Sequence, residues 1–405
     1  MKYYKLIALM PLLLASCVNY NDVTSEVGMN VQLQMPAEFT HGTDLEGHNI
    51  VLSLNGTDFT AQTNAEGVAT FTGLIPDVYS LSTAWDISNA TYSALTGTTQ
   101  LLGATVSGAL NDLLISEAST ISPILLPTNV AVKRDIVISK IASAGSKDQN
   151  NRYYTAGKYL ELYNQSDDPV DVSGLFLGLL DSTNPQPYTL ENLHDDHADS
   201  VVLVKQIFQI PADQPYMVPP GGTVLLVNSA TDHRDVSATE QDLRDADFEA
   251  KDASGSTVNN PETPALLTAW TASGNSATMN LVQGGPCGII IFRTDESFSN
   301  WKLTYAYGKT TGQRYLLVPK RLILDGVDYL KNKPTGVDVS TKRLYTEIDA
   351  GYININAING WTGEVVYRRT ASISEKGHPI LMDTNNSSND FKVSTTIKPR
   401  EYDNE

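Results

Sequence analysis

Short apolar, β-branched stretches recur along the whole chain between clusters of Gly, Pro, Asn and Asp, which is how half-buried strands joined by turns read in sequence. Ile50, Leu52 and Leu54 alternate with polar residues and so share one face of a strand. Asn64-Ala65-Glu66-Gly67 follows as a turn, and residues 68–72 read as the next strand. Further along, residues 135–141, 159–164, 170–177, 223–227 and 322–329 carry the same signature. Residues 276–282 and 288–292 read as the two arms of a hairpin. No long segment repeats its apolar positions every 3.6 residues between caps. The one helical expectation is short, residues 242–249, inside an acidic and polar insertion over 229–265. The pattern predicts an all-β protein. A break near Pro127-Thr128-Asn129 divides it into a unit over 29–130 and a larger one over 134–400.

The first residues follow another rule. Lys2 and Lys5 precede an apolar run over 6–14, interrupted only by Pro11, and then come Ala15, Ser16 and Cys17. That is a secretory signal, too short to span a bilayer. Leu14-Ala15-Ser16-Cys17 resembles the bacterial lipobox, which implies cleavage after residue 16 and acylation of the Cys17 thiol and amine. Several acyl chains hold a protein firmly where one does so only marginally. The predicted organisation is therefore a signal peptide over 1–16, a lipidated tether over 17–28, and two folded units. Val18 stands where an Asp would resemble an inner-membrane retention signal, so an outer-membrane address is expected, with the membrane face open. With Cys17 acylated, Cys287 has no partner for an internal disulfide, and it reads as a small buried hydrophobe before the run Ile289-Ile290-Ile291-Phe292.

Composition narrows the function classes. The 405 residues include 28 Lys and Arg against 46 Asp and Glu, a net charge of −18. That balance argues against nucleic acid as a partner, because phosphate backbones demand clustered cations. With 41 % hydrophobic residues the chain is too apolar to be disordered.

Two resemblances sharpen the fold class. The order Thr63-Asn64-Ala65-Glu66-Gly67-Val68-Ala69-Thr70-Phe71, then Gly73-Leu74-Ile75-Pro76-Asp77-Val78-Tyr79, resembles prealbumin-like (transthyretin-like) β-sandwich modules, with Asp77 in the place of a usual Gly. In the larger unit, Tyr159-Leu160-Glu161-Leu162-Tyr163-Asn164, Val170-Asp171-Val172-Ser173-Gly174-Leu175 and Pro219-Pro220-Gly221-Gly222 resemble the lamin-tail domain. That resemblance implies an immunoglobulin-like β-sandwich, here with long insertions, with Leu175 for the usual Trp and Lys140 for a frequent Glu. Taken whole, the chain resembles an uncharacterised Bacteroidetes lipoprotein family, a domain of unknown function. The resemblance implies a non-catalytic outer-membrane lipoprotein, an accessory or binding component of an envelope complex beside an energy-coupled receptor. The alternative is a carbohydrate-binding or adhesive surface module.

Candidate chemistry is sparse. There is no nucleophile elbow, no His-Glu-x-x-His and no phosphate-binding glycine loop, and no enzyme activity is expected. His194, Asp195, Asp196 and His197 form one candidate metal run, since a His pair at i, i+3 on a helix can meet one ion. Asp383, Asn385 and Asp390 form a second, where calcium is the fitting ion; the same Asn- and Ser-rich loop also makes Asx-turns without one. No other cofactor is expected. Trp361, between Gly360 and Gly363, is expected to protrude, and Trp270 and Trp301 flank the irregular middle of the second unit. Exposed Trp rings anchor sugars and protein partners. The expected partners are the membrane, through the lipid on Cys17, and an envelope protein or a glycan.

Overall fold

The computed structural model describes residues 25–54, 57–87, 89–97, 104–120, 122–132, 134–181, 190–197, 200–272 and 277–403. Cys17 and the tether before residue 25 lie outside them. As the sequence predicts, the protein is an all-β sandwich fold with only short helices.

Residues 27–132 build two facing sheets. One holds five strands in the order Thr57–Gln62, Asn49–Leu54, Asp77–Ile87, Ala104–Ile115, Asn129–Val132; the other holds Val68–Leu74, Val27–Gln34 and Ile124–Pro127. Alternation does the folding. Val27, Met29, Val31 and Leu33 point inward from one sheet and meet Ile50, Leu52, Tyr79 and Leu81 from the other. The Asn64 side chain closes its turn by accepting from Glu66 N at 3.1 Å and Val68 N at 2.8 Å. Register fixes the ends of the unit. Val27 pairs with Leu74 and Val78 with Leu114, so the chain enters beside residues 74–78. It leaves from Val132, which pairs with Ala104 at the opposite end.

The larger unit packs two sheets over one core. The first runs Phe248–Glu249, Thr223–Val227, Tyr159–Asn164, Ile136–Ala142, Val365–Arg368, Phe391–Ser394. The second runs Leu303–Tyr305, Arg314–Pro319, Val201–Gln209, Phe176–Leu180, Ile289–Phe292, Ile323–Val327, with Leu267–Thr271 also pairing Val201–Gln209. Ile138, Leu160, Leu162, Phe208, Leu226, Ile289 and Ile291 meet between them, and Cys287 is fully buried in the same core. The outer face of the first sheet is covered too. Lys140 donates to Glu161 Oε1 at 2.5 Å, lies 3.9 Å from the centre of the Tyr402 ring, and Tyr402 Oη donates to Glu161 at 2.7 Å. Burial lowers the Lys140 pKa, and the Glu161 charge opposes that shift.

Two local expectations fail. Residues 242–249 form no helix: Asp242 bridges back to Asp232, and Phe248–Glu249 adds a parallel strand beside Leu226 and Val227. Arg234 and Arg244 reach both Asp232 and Asp242 in that bridge, ion pairs between segments that a helix would separate. Nor do residues 277–282 pair with Ile289–Phe292, which instead lies between Phe176–Leu180 and Ile323–Val327. Long-range partners satisfy its backbone better than a local hairpin arm. Among the described residues no helix is long and apolar enough to cross a membrane.

Candidate functional site

The structure brings two of the three candidate tryptophans together. Trp270 lies on the strand Leu267–Thr271, and Trp301 follows the short 3-10 turn Phe298–Asn300. With Phe298, Leu303 and Leu316 they line an open groove of about 460 Å³. The two segments meet because Val201–Gln209 is long enough for two neighbours on one side. Its first half pairs with Arg314–Pro319, which carries Leu303–Tyr305, and its second half with Leu267–Thr271.

A stack of rings supports the groove from below. Phe176 lies 5.2 Å from Phe292 and 5.1 Å from Phe298, and Phe298 lies 4.9 Å from Trp301, centroid to centroid. This chain of aromatic contacts runs from the buried sheet to the half-buried Trp301 and locks the ring orientation. Trp301 Nε1 donates to Glu296 Oε2 at 2.8 Å, and Arg321 donates to the other carboxylate oxygen at 2.8 Å. Those two bonds hold the Glu296 carboxyl below the usual carboxylate range. Beyond Glu296 a polar groove continues over Asp295, Arg293, Arg321 and Gln209. The arrangement offers flat apolar faces beside a fixed carboxylate and guanidinium, which suits a ligand with an apolar side and a hydrogen-bonding rim.

Trp361 does not protrude. Its backbone is left-handed, φ 67°, and its N–H donates to Ala144 O at 2.7 Å. The ring folds down and stacks on Tyr153, centroids 4.3 Å apart. Tyr153 is the exposed member of this shelf, at 67 %. Gly145 lies under both segments; a Cβ there would sit 2.8 Å from Tyr154 O and 3.3 Å from the Trp361 ring.

The candidate calcium residues are engaged by other groups. Asp383 and Asp390 face the buried guanidinium of Arg368, at 3.1 and 3.4 Å, and Arg368 also reaches Asp325 at 3.0 Å. Asp390 further accepts from Thr384 N at 3.1 Å and Thr384 Oγ1 at 2.6 Å. Asn385 Nδ2 donates to Glu347 O at 2.5 Å. An arginine therefore stands where the calcium expectation would put a cation. Burial pushes the Asp390 carboxyl up to about 8 and raises Asp325 as well, with Arg368 opposing both shifts. His194, Asp195 and His197 lie on the helix Leu190–His197, with His194 and Asp195 exposed; the Asp196 side chain lies outside the described residues. Among the described residues no group of three or more His, Cys, Asp or Glu is placed to hold a metal ion.

Two hydroxyl–histidine pairs escaped the sequence reading. Ser374 Oγ lies 2.9 Å from His378 Nδ1, and Tyr154 Oη lies 2.6 Å from His233 Nδ1. Ser374 Oγ also accepts from the backbone N–H groups of Lys376 and His378, so it closes its own turn. His233 is buried, and its Nε2 lies 2.9 Å from Ser229 O. Neither histidine lines the aromatic groove. The Ser374–His378 spacing of four residues is a turn signal as much as a chemical one, and nothing in the sequence places Tyr154 beside His233.

Comparison with known proteins gives a family match and a fold. The model of a protein of unknown function, DUF4876, matches residues 219–398. The chain is also similar to the crystal structure of a DUF4876 family protein from Bacteroides thetaiotaomicron VPI-5482, with a TM-score of 0.56 and 17 % identity over 93 % of this chain and 98 % of that one. At that identity the likeness is one of fold. No curated protein matches the chain.

Proposed function

We propose that this chain is a Bacteroidetes DUF4876 lipoprotein, anchored in the outer membrane through lipid on Cys17, that acts as a non-catalytic binding component of an envelope complex. The observation that carries the binding role is the Trp270–Trp301 groove. It places two large rings at the surface, that of Trp301 held by Phe298 and by the Glu296 carboxylate, while the Asp383–Asp390 cluster is turned inward onto arginine and backbone donors. Rigid aromatic anchors in a partly desolvated groove are where binding energy concentrates. A second reading, glycan binding, is favoured by the junction of that groove with the polar one over Glu296 and Arg321. Ring faces there stand next to groups that hydrogen-bond hydroxyls.

The test is purification of the full-length protein from membranes after mild crosslinking, with mass spectrometry of the anchor peptide and of co-purifying proteins. The expected result is acylated Cys17 and an outer-membrane partner that the double substitution Trp270→Ala, Trp301→Ala releases. An unmodified Cys17 refutes the anchoring. A partner retained in full by the double variant refutes the groove. A lipidated protein that recovers no partner, but binds an immobilised glycan through the same two tryptophans, selects the second reading.

A further inference from the structure

Three aliphatic side chains are exposed near the end of the first unit where the chain enters. Ile75 is 52 % exposed, Val78 47 % and Leu114 66 %. Val78 and Leu114 are direct cross-strand partners, and Ile75 lies three residues before Val78 in the corner between two strands. Val27, the first residue of the entry strand, pairs with Leu74 beside that corner. Ser25 Oγ lies 3.4 Å from Glu117 Oε1, so the chain is already bonded to this end of the unit at residue 25. Nothing in the folding of the unit requires these three side chains to be apolar, because its core is filled by other residues of the same strands. Single exposed aliphatics are ordinary; a cluster at one tip has an occupant to be identified.

Chain length identifies it. On the reading that Cys17 is lipidated, only seven residues, 18–24, separate the acylated cysteine from Ser25. Fully extended, they span about 25 Å, and any slack brings the tip to the bilayer surface. We infer that Ile75, Val78 and Leu114 form a membrane-contact tip that dips into the headgroup–acyl boundary of the leaflet carrying the anchor. The lipid supplies the affinity, and the tip supplies orientation, because three apolar side chains at one end prefer a single pose. Exposed carboxylates of Glu26, Asp77 and Glu117 surround the tip. They select zwitterionic lipid over anionic lipid, since like charge repels at this range.

The experiment uses the full-length lipidated protein in vesicles of phosphatidylethanolamine and phosphatidylcholine. An environment-sensitive nitrobenzoxadiazole probe is attached through Leu114→Cys or, separately, Val78→Cys. Native Cys287 is buried and does not compete for the label. Val258→Cys, at a 70 % exposed position of the second unit, is the reference. The expected result is a blue-shifted emission at 114 and 78, with at least twofold quenching by spin-labelled lipid, against a water-like emission at 258. Replacing a third of the lipid by phosphatidylglycerol should reduce the shift. Protein that floats with the vesicles while all three probes read as water overturns the tip and leaves the anchor standing. Protein that does not float, with Cys17 unmodified by mass spectrometry, overturns the anchor and the tip with it.

Discussion

Replacing Arg368 by Met gives the sharpest test of how the second unit is held together. Arg368 is buried, and its guanidinium reaches Asp325 at 3.0 Å, Asp383 at 3.1 Å and Asp390 at 3.4 Å. It also donates to Ile138 O at 3.0 Å and Met382 O at 2.9 Å. The substitution keeps the stem and removes the charge. It leaves Asp325 and Asp383 facing only Arg134, 3.7 and 3.6 Å away, beside an Asp390 that keeps its proton below about pH 8. Breaking a buried pair by removing one partner costs about 3–5 kcal/mol, because the surviving charge stays desolvated. The cost should depend on pH. Without Arg368 the buried Asp325 carboxyl, already raised in the native protein, escapes the penalty by taking up a proton, so the loss is largest near pH 8 and shrinks toward pH 5. Urea unfolding followed by Trp fluorescence at both pH values reads the difference directly. A loss below about 1 kcal/mol at pH 8, or a loss equal at the two values, refutes the reasoning, since no buried charge would then have been stranded.

Three further outcomes follow from the same structure. Asp390 is pushed up to about 8 by burial, so between pH 4 and pH 8 the folded chain keeps a proton that the unfolded chain has released. Stability should therefore fall as pH rises through that window, by about 1.4 kcal/mol per unit per proton, and Asp390→Asn should remove about one proton's worth of slope; equal slopes in the two proteins contradict the assignment. Gly108→Ala would place a Cβ 2.3 Å from Pro127 O, a backbone atom that cannot yield cheaply, and should lower stability by about 1–3 kcal/mol in a melt of the whole protein. In a variant carrying Cys17→Ser, Cys287 should resist a thiol reagent in the folded protein and react within minutes in 6 M guanidinium, on the order of one thiol per chain; fast labelling of the native state would contradict its burial.

What the sequence disclosed and what it withheld divide along a physical line. Strands with one wet face were legible, as in Ile50–Leu52–Leu54, because alternation survives when alternate residues meet water. Ile136–Ala142 and Tyr159–Asn164 were legible as strands too, but both of their faces are buried, which the alternation in Tyr159–Asn164 did not disclose. The order of strands was not legible, since it depends on partners more than a hundred residues away, such as Tyr367 beside Lys140. Charged residues misled for the same reason. Asp383 and Asp390 read as a local oxygen cluster, and the Arg368 that claims them arrives on another strand. Trp270 and Trp301 were each visible as candidates, but their meeting requires the two-sided use of Val201–Gln209. Trp361 folded down where protrusion was expected, because its left-handed turn points the ring at Tyr153.

The link between the two units is only the stretch from Val132 to Ile136, and it carries Arg134, which reaches Asp325 and Asp383 of the second unit. Trp85 and Thr105 of the first unit face Leu381 and Met382 of the second across a cavity of about 290 Å³ next to this link. The two units therefore face each other at a second place besides the chain, and a joint braced at two places acts as a splint more than as a hinge. Under the anchoring proposed above, that changes the search problem for a partner in the same membrane. A freely jointed head would sweep its aromatic groove through a hemisphere, and most orientations would miss. A splinted head spins about one axis at one height, so each lateral collision samples a narrow band of poses and the effective concentration of productive encounters rises.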